Sequence, residues 1–208
     1  MEDIGYYIKA FVTLLMLVNP FEGMPVFISA TGTATPELRN SILRITCLSV
    51  IVILVSSLLF GRMILQVFSI TTGAFQIGGG IILFLIAVKM TLGPSGAMKE
   101  FSGGGELKPS FGIVPLALPL LAGPGAINGA ILFGTGAHPV TDMLVLIGVA
   151  FLVGIILYIM LKTGNTLARY IGTTGIEVVT RVTGLFIAAI SAEMVIKGMA
   201  STFRLVIF

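Results

Sequence analysis

Apolar residues run through this chain in blocks too long for one face of a soluble helix. Segments at roughly 8–30, 42–66, 72–92, 111–135, 140–162 and 180–203 each hold the ~20 mainly apolar residues that a helix needs to cross a bilayer core. Runs such as LSVIVILVSSLLF do not alternate polar with apolar positions, which excludes strands of a membrane barrel. The pattern predicts an all-α membrane protein of six transmembrane helices. Between the third and fourth spans lies GPSGAMKEFSGGGELKPS, residues 93–110, whose Gly, Ser and charge read as a flexible linker. It leaves three spans in residues 1–92 and three in 111–208.

Composition supports this. Of 208 residues, 56% are hydrophobic and 10% charged, against the ~25% charged residues of an ordinary soluble domain. Mean hydropathy is +1.10. The net charge of +3 comes from scattered Lys and Arg, without the basic patch that nucleic acid demands. Cys47 is the single cysteine, so neither a disulfide framework nor a cysteine metal site arises. Glu2 and Asp3 open the chain where a secretory signal carries positive charge, and the N-terminus reads as retained. Arg39, Arg44, Lys89, Lys99, Lys108, Lys162, Arg169 and Arg181 fall on one side of the spans, and Lys9, Arg62, Lys197 and Arg204 on the other. Cytoplasmic loops collect the basic residues, so both termini are expected outside a plasma (inner) membrane.

An odd number of spans per half makes the second half enter the membrane in the opposite sense, as in the inverted repeats of secondary transporters. Two landmarks recur. Asn19-Pro20 in the first span matches Gly123-Pro124 in the fourth, and Gly79 follows Pro20 by 59 positions where Gly184 follows Pro124 by 60. Both first-of-three spans also carry helix breakers deep inside. VNPFEGMPVF sets Asn19, Pro20, Glu22, Gly23 and Pro25 within the first; Pro115, Pro119, Gly123, Pro124, Gly125 and Asn128 crowd the fourth. Proline removes a backbone donor and clashes with the carbonyl four residues back, so helices one and four are expected to be broken at mid-membrane. Half-helices starting after Pro20 and Pro124 offer unpaired N–H groups and a positive dipole end to a carboxylate. Freed carbonyls offer themselves to an ammonium group or cation. A small zwitterion fits both.

The strings VNPFEGMPVF, AFQIGGGIILFLIAVKM, IVPLALPLLAGPGAI and RVTGLFIAAISAEMVIKG, in this order, resemble the MarC/SnatA-type neutral amino acid transporter family, and more distantly the lysine-exporter superfamily. The resemblance implies six helices in two inverted triplets and transport of glycine- or alanine-like substrates driven by a cation gradient. Glu22 and Gln76 depart from the family pattern.

The substrate cavity is expected from Asn19, Pro20, Phe21, Glu22, Gly23, Gly78, Gly79, Gly123, Pro124, Gly125, Ala126, Asn128 and Thr183. Several of these have plainer roles. Glu22 either caps the second half-helix or lines the cavity as a carboxylate that carries a proton. Glu193 either pairs with Lys197 at i,i+4 or relays protons. Gly78, Gly79 and Gly184 either form close-packing faces or let substrate approach backbone. Lys89 is expected to snorkel to the surface, and Arg181 to mark the interface or close a gate. With no cluster of carboxylates and hydroxyls for sodium, the coupling cation is expected to be H⁺ rather than Na⁺.

No zinc-protease, nucleophile-elbow or Walker motif occurs, and His138 with Asp142 reads as a solvated loop. An enzyme is not expected, nor a cofactor. Partners are expected to be substrate, coupling cation and lipid bilayer, with a homo-oligomer as a further option. An amino acid exporter of the same fold and an oligomeric channel for small polar solutes are the competing readings.

Overall fold

The computed structural model describes residues 2–92, 108–136 and 140–206, and all regular structure among them is helical. In chain order these are α1 (Glu2–Val18), α2 (Pro20–Thr31), α3 (Pro36–Val67), α4 (Thr72–Leu92), a 3-10 turn (Pro109–Gly112), a π-type segment (Ile113–Leu121), α5 (Pro124–Gly136), α6 (Val140–Lys162) and α7 (Gly164–Val206). Five stretches are long and apolar enough to cross a membrane: Ile4–Thr31, Pro36–Val67, Thr72–Leu92, Thr141–Lys162 and Thr174–Thr202.

The expected fourth span at 111–135 is interrupted, and over a longer stretch than Gly123-Pro124 alone. Residues that precede proline are pushed out of the α region by its ring, and Val114 (φ −130°, ψ 121°) and Leu118 (φ −115°, ψ 129°) are extended ahead of Pro115 and Pro119. The α-helical part, the 13 residues of α5, reaches about 20 Å at 1.5 Å per residue, short of a ~30 Å core. Most of the expected linker, residues 93–107, and the loop holding His138 lie outside the described residues.

Helix boundaries follow local chemistry. At the start of α3, the Thr35 hydroxyl accepts from the Leu38 N–H at 3.3 Å, Pro36 occupies the first helical position and Glu37 sits in the first turn. α3 ends with Ser69 in the left-handed region (φ 55°). The Ile70 N–H bonds the Leu65 carbonyl at 2.8 Å and the Ser69 N–H that of Gln66 at 3.0 Å, a closure usually made around glycine. α7 is interrupted at Gly172 (φ 71°, ψ 170°), a conformation essentially confined to glycine.

Large apolar side chains face outward along every long helix: Val52 is 63% exposed, Leu85 57%, Leu144 64% and Phe186 54%. Such a surface is tolerable only in lipid. Inside, Leu14, Phe27, Leu54, Leu58, Leu121, Leu146 and Leu157 are fully buried. Glycines permit the closest approaches. A Cβ at Gly134 would stand within van der Waals distance of the Leu58 backbone, and one at Gly61 or Gly154 would meet Ile131 or Ile51. At one end, the Tyr6 hydroxyl donates to the Phe133 carbonyl in the last turn of α5 (3.0 Å) and the Tyr7 hydroxyl to Asp142 (2.8 Å), tying α1 to α5 and α6.

Candidate functional site

The first break is one residue wide. Asn19 adopts a left-handed conformation (φ 44°, ψ 71°), which asparagine tolerates better than most side chains. Its N–H still closes the α1 ladder on the Leu15 carbonyl (3.0 Å), and its own carbonyl receives the Glu22 N–H (3.1 Å). Pro20 then begins α2. Because Pro20 has no N–H, the Met16 carbonyl loses its helical donor, and the last carbonyls of α1 have no partner within the helix.

The second break is spread out. The chain passes from the extended Leu118 through Ala122 (φ −100°, ψ 56°), whose N–H reaches back five residues to the Ala117 carbonyl (2.8 Å). Pro124 opens α5, and the Ile127 N–H bonds the Gly123 carbonyl (3.1 Å). The two breaks adjoin: a Cβ at Gly23 would stand 2.5 Å from the Leu121 side chain.

Polar side chains are placed where the helices fail. The Asn19 Nδ2 donates to Glu22 Oε2 at 3.0 Å, while Asn19 Oδ1 is buried without a hydrogen-bond partner. Asn128, one turn into α5, is 5% exposed, and both its Oδ1 and its Nδ2 are buried without a partner. An unsatisfied buried polar group costs about 1–3 kcal/mol, so three at two helix breaks are exceptions that ask for an explanation. Asn128 sits there because Gly79 of α4 has no side chain; its amide occupies the space that a Cβ would need. Leu83, one turn further along α4, lies against Gly125, and Leu17 of α1 against Gly129.

The expected site residues divide accordingly. Asn19, Pro20 and Gly23 are buried, Phe21 and Glu22 half-buried, all at the first break. At the second, Gly125, Ala126 and Asn128 are buried, Gly123 is half-buried and Pro124 exposed; Gly79 joins them from α4. Gly78 faces outward with nothing near it. Thr183 is half-buried beside Gly184, which packs on Ala87, Met90 and Thr91 near the other end of α4, on the order of 12 Å or more from Gly79 by the helical rise. Glu193 stands half-exposed in ion pairs with Lys197 (2.6 Å) and Lys9 of α1 (3.6 Å). Lys89 and Arg181 are exposed. The sequence reading missed Leu83 and Lys9. Leu83 shares a helix face with Gly79 at i+4, a signal that was available; nothing in the sequence pairs Lys9 with Glu193.

No group of three or more His, Cys, Asp or Glu able to hold a metal ion occurs among the described residues.

Lipid-facing helices, two interrupted helices that adjoin and unpartnered amide atoms buried near each break define a multi-pass integral membrane protein. The chain belongs to the MarC family of integral membrane proteins, which it matches over residues 4–203. It is 37% identical over 204 residues to the UPF0056 membrane protein YhcE of Escherichia coli (strain K12), covering 97% of this chain and 95% of that one. It is 36% identical over 200 residues to the UPF0056 membrane protein MJ1677 of Methanocaldococcus jannaschii, covering 94% and 97%. No solved structure matches the chain.

Proposed function

We propose that the protein is a secondary transporter of small neutral amino acids, glycine- or alanine-like, working by alternating access from one site between the two helix breaks. The observation that carries this reading is the set of buried, partnerless amide atoms, Asn19 Oδ1 and Asn128 Oδ1 and Nδ2. A zwitterion answers them. Its ammonium group donates to the two Oδ1 atoms and to Glu22. Its carboxylate accepts from Asn128 Nδ2 and from the first free N–H groups of α2 and α5, at the positive ends of those helices. Gly23, Gly79 and Gly125 let Leu121, Asn128 and Leu83 close in on the breaks, a crowding that favours a small substrate.

Six spans in two inverted triplets accord with this reading, the broken α1/α2 and the π-type segment with α5 serving as first and fourth. Proline stands at the first position of both α2 and α5, and contacts recur in pairs: α3 packs on α5 as α6 packs on α1, while α4 and α7 pack on each other. Glu22, hydrogen-bonded to Asn19 inside the site, is the proton carrier; Glu193, held by two lysines, is less suited to release and rebind a proton. The relatives come from a bacterium and an archaeon, in keeping with a plasma membrane location, with both termini outside by the distribution of Lys and Arg.

Purified protein in liposomes, given labelled glycine with and without a pH gradient, tests the proposal. Saturable, competitor-sensitive flux that rises with the gradient is the expected outcome. Unsaturable flux makes the protein a channel, and no flux of any neutral amino acid removes the reading. Asn19→Ala is expected to raise the half-saturating glycine concentration at least tenfold, and His138→Ala to leave it unchanged.

A further inference from the structure

Buried apolar side chains form two clusters. The larger joins α1, α2, α3, the π-type segment, α5 and α6, and reaches into α7 only to Ile176. No described residue of α4 belongs to it. The smaller consists of Leu83, Ala87 and Met90 of α4 with Ile187 of α7, and its only partly buried neighbours outside those helices are Met16 and Leu17 of α1. α4 and α7 are each other's principal neighbours.

Their seam is made of small residues seven apart: Gly73, Gly80 and Ala87 on α4, and Gly198, Ser191 and Gly184 on α7, running antiparallel. A Cβ at Gly198 would lie 2.7 Å from the Gly73 carbonyl oxygen, one at Gly80 2.9 Å from that of Ser191, and one at Gly184 3.1 Å from that of Ala87. The backbones therefore touch along the whole seam, and a spacing of seven keeps such a stripe facing its partner. This pair holds together at backbone level, whereas it meets the remainder through a few side chains.

The connections into the pair are unusual as well. Apart from Asn19, the described residues with positive φ are Ser69, just before α4, and Gly172, within α7 ahead of its long apolar stretch. Before Gly172, Gly164 lies against Met24, and Leu167 and Ile171 pack on the larger core. One ion pair, Lys9 with Glu193, bridges from the pair to α1. The pair also covers the second break, through Leu83 on Gly125 and Gly79 on Asn128.

We propose that α4 and the part of α7 beyond Gly172 move as one lid over the second helix break, turning at Ser69 and Gly172 and held closed by the Lys9–Glu193 ion pair. What the lid encloses rests on the transport reading; the motion does not. Gly172 is one non-helical residue between helical runs and Ser69 lies in the short non-helical stretch before α4, so φ and ψ change there at the loss of no more than the closing bonds of α3, which is how hinges absorb domain motion.

Nitroxide pairs introduced in a Cys47→Ala background and measured in liposomes, without any solute, test the motion. Labels at Leu85→Cys and Ala189→Cys lie within the pair and should give one narrow distance distribution. Labels at Val52→Cys on α3 and Phe186→Cys on α7 should give two populations. Glu193→Gln should shift their ratio about threefold towards the minor one, as expected for a half-exposed ion pair. Lys9→Gln should do the same and add nothing to Glu193→Gln, while Lys9→Arg restores the original ratio. A single Val52–Phe186 distance in both wild type and Glu193→Gln overturns the proposal, as does a split within the Leu85–Ala189 pair. Two populations in a protein that moves no glycine keep the lid and remove the transport reading.

Discussion

The two helix breaks begin alike and end differently. Each sets proline at the first position of the following half-helix, yet the first turns within Asn19 alone while the second unravels from Val114 to Ala122. At the first, the residue that bends the backbone also supplies the polar side chain, and its amide engages Glu22. At the second, bending belongs to Val114, Leu118 and Ala122, and the polar group waits beyond them at Asn128. Three prolines keep that segment from recovering a helix, and small residues around Pro124 bring α1 and α4 close. One break is a single-residue polar corner; the other is a longer strap whose chemistry depends on its neighbours.

This contrast makes Gly79 the most sensitive position of the second break. Gly79→Ala puts a methyl where the Asn128 amide lies, which costs about 1–3 kcal/mol of stability by overpacking and should abolish glycine flux. Thermal unfolding in detergent, with flux in liposomes, checks both. Gly78→Ala, facing open space, should change neither.

Substituting the two asparagines separates corner from strap. Asn128→Leu removes two unpartnered amide atoms at similar volume, so it should leave stability unchanged or raise it by about 1 kcal/mol while flux is lost. Asn19→Ala should lower stability by about 1 kcal/mol, because alanine pays for the left-handed backbone; Asn19→Gly restores stability without restoring flux. A fall in stability for Asn128→Leu comparable to that for Asn19→Ala would mean that Asn128 holds the fold together instead. The smallest effect belongs to Tyr7→Phe, which removes the hydroxyl donating to Asp142 far from both breaks; about 0.5–1.5 kcal/mol of stability should be lost with half-saturation unchanged.

Much of this was legible in the sequence wherever the cause is local. Proline lacks its N–H whatever surrounds it, so Pro20 and Pro124 announced the breaks, and apolar length announced five of the six expected spans. The fourth, expected to break at Gly123-Pro124, opens earlier as well, because Pro115 and Pro119 act on the residues before them, a second effect of the same side chains. Contacts between distant segments were not legible. Gly78 and Gly79 are adjacent and identical in type, yet 100° of helical rotation turns one outward and the other onto Asn128; only packing decides which. The α4–α7 register and the Lys9–Glu193 pair join residues from opposite halves, and the left-handed turn at Ser69 uses a residue with little preference for it.

The antiparallel seam of small residues also bears on assembly. α4 emerges during synthesis with a face of Gly73, Gly80 and Ala87 that no neighbour in the first half fills, and its partner face is made only after the second half has followed. Until then the first half carries a bare notch in lipid that only the last helix can fill.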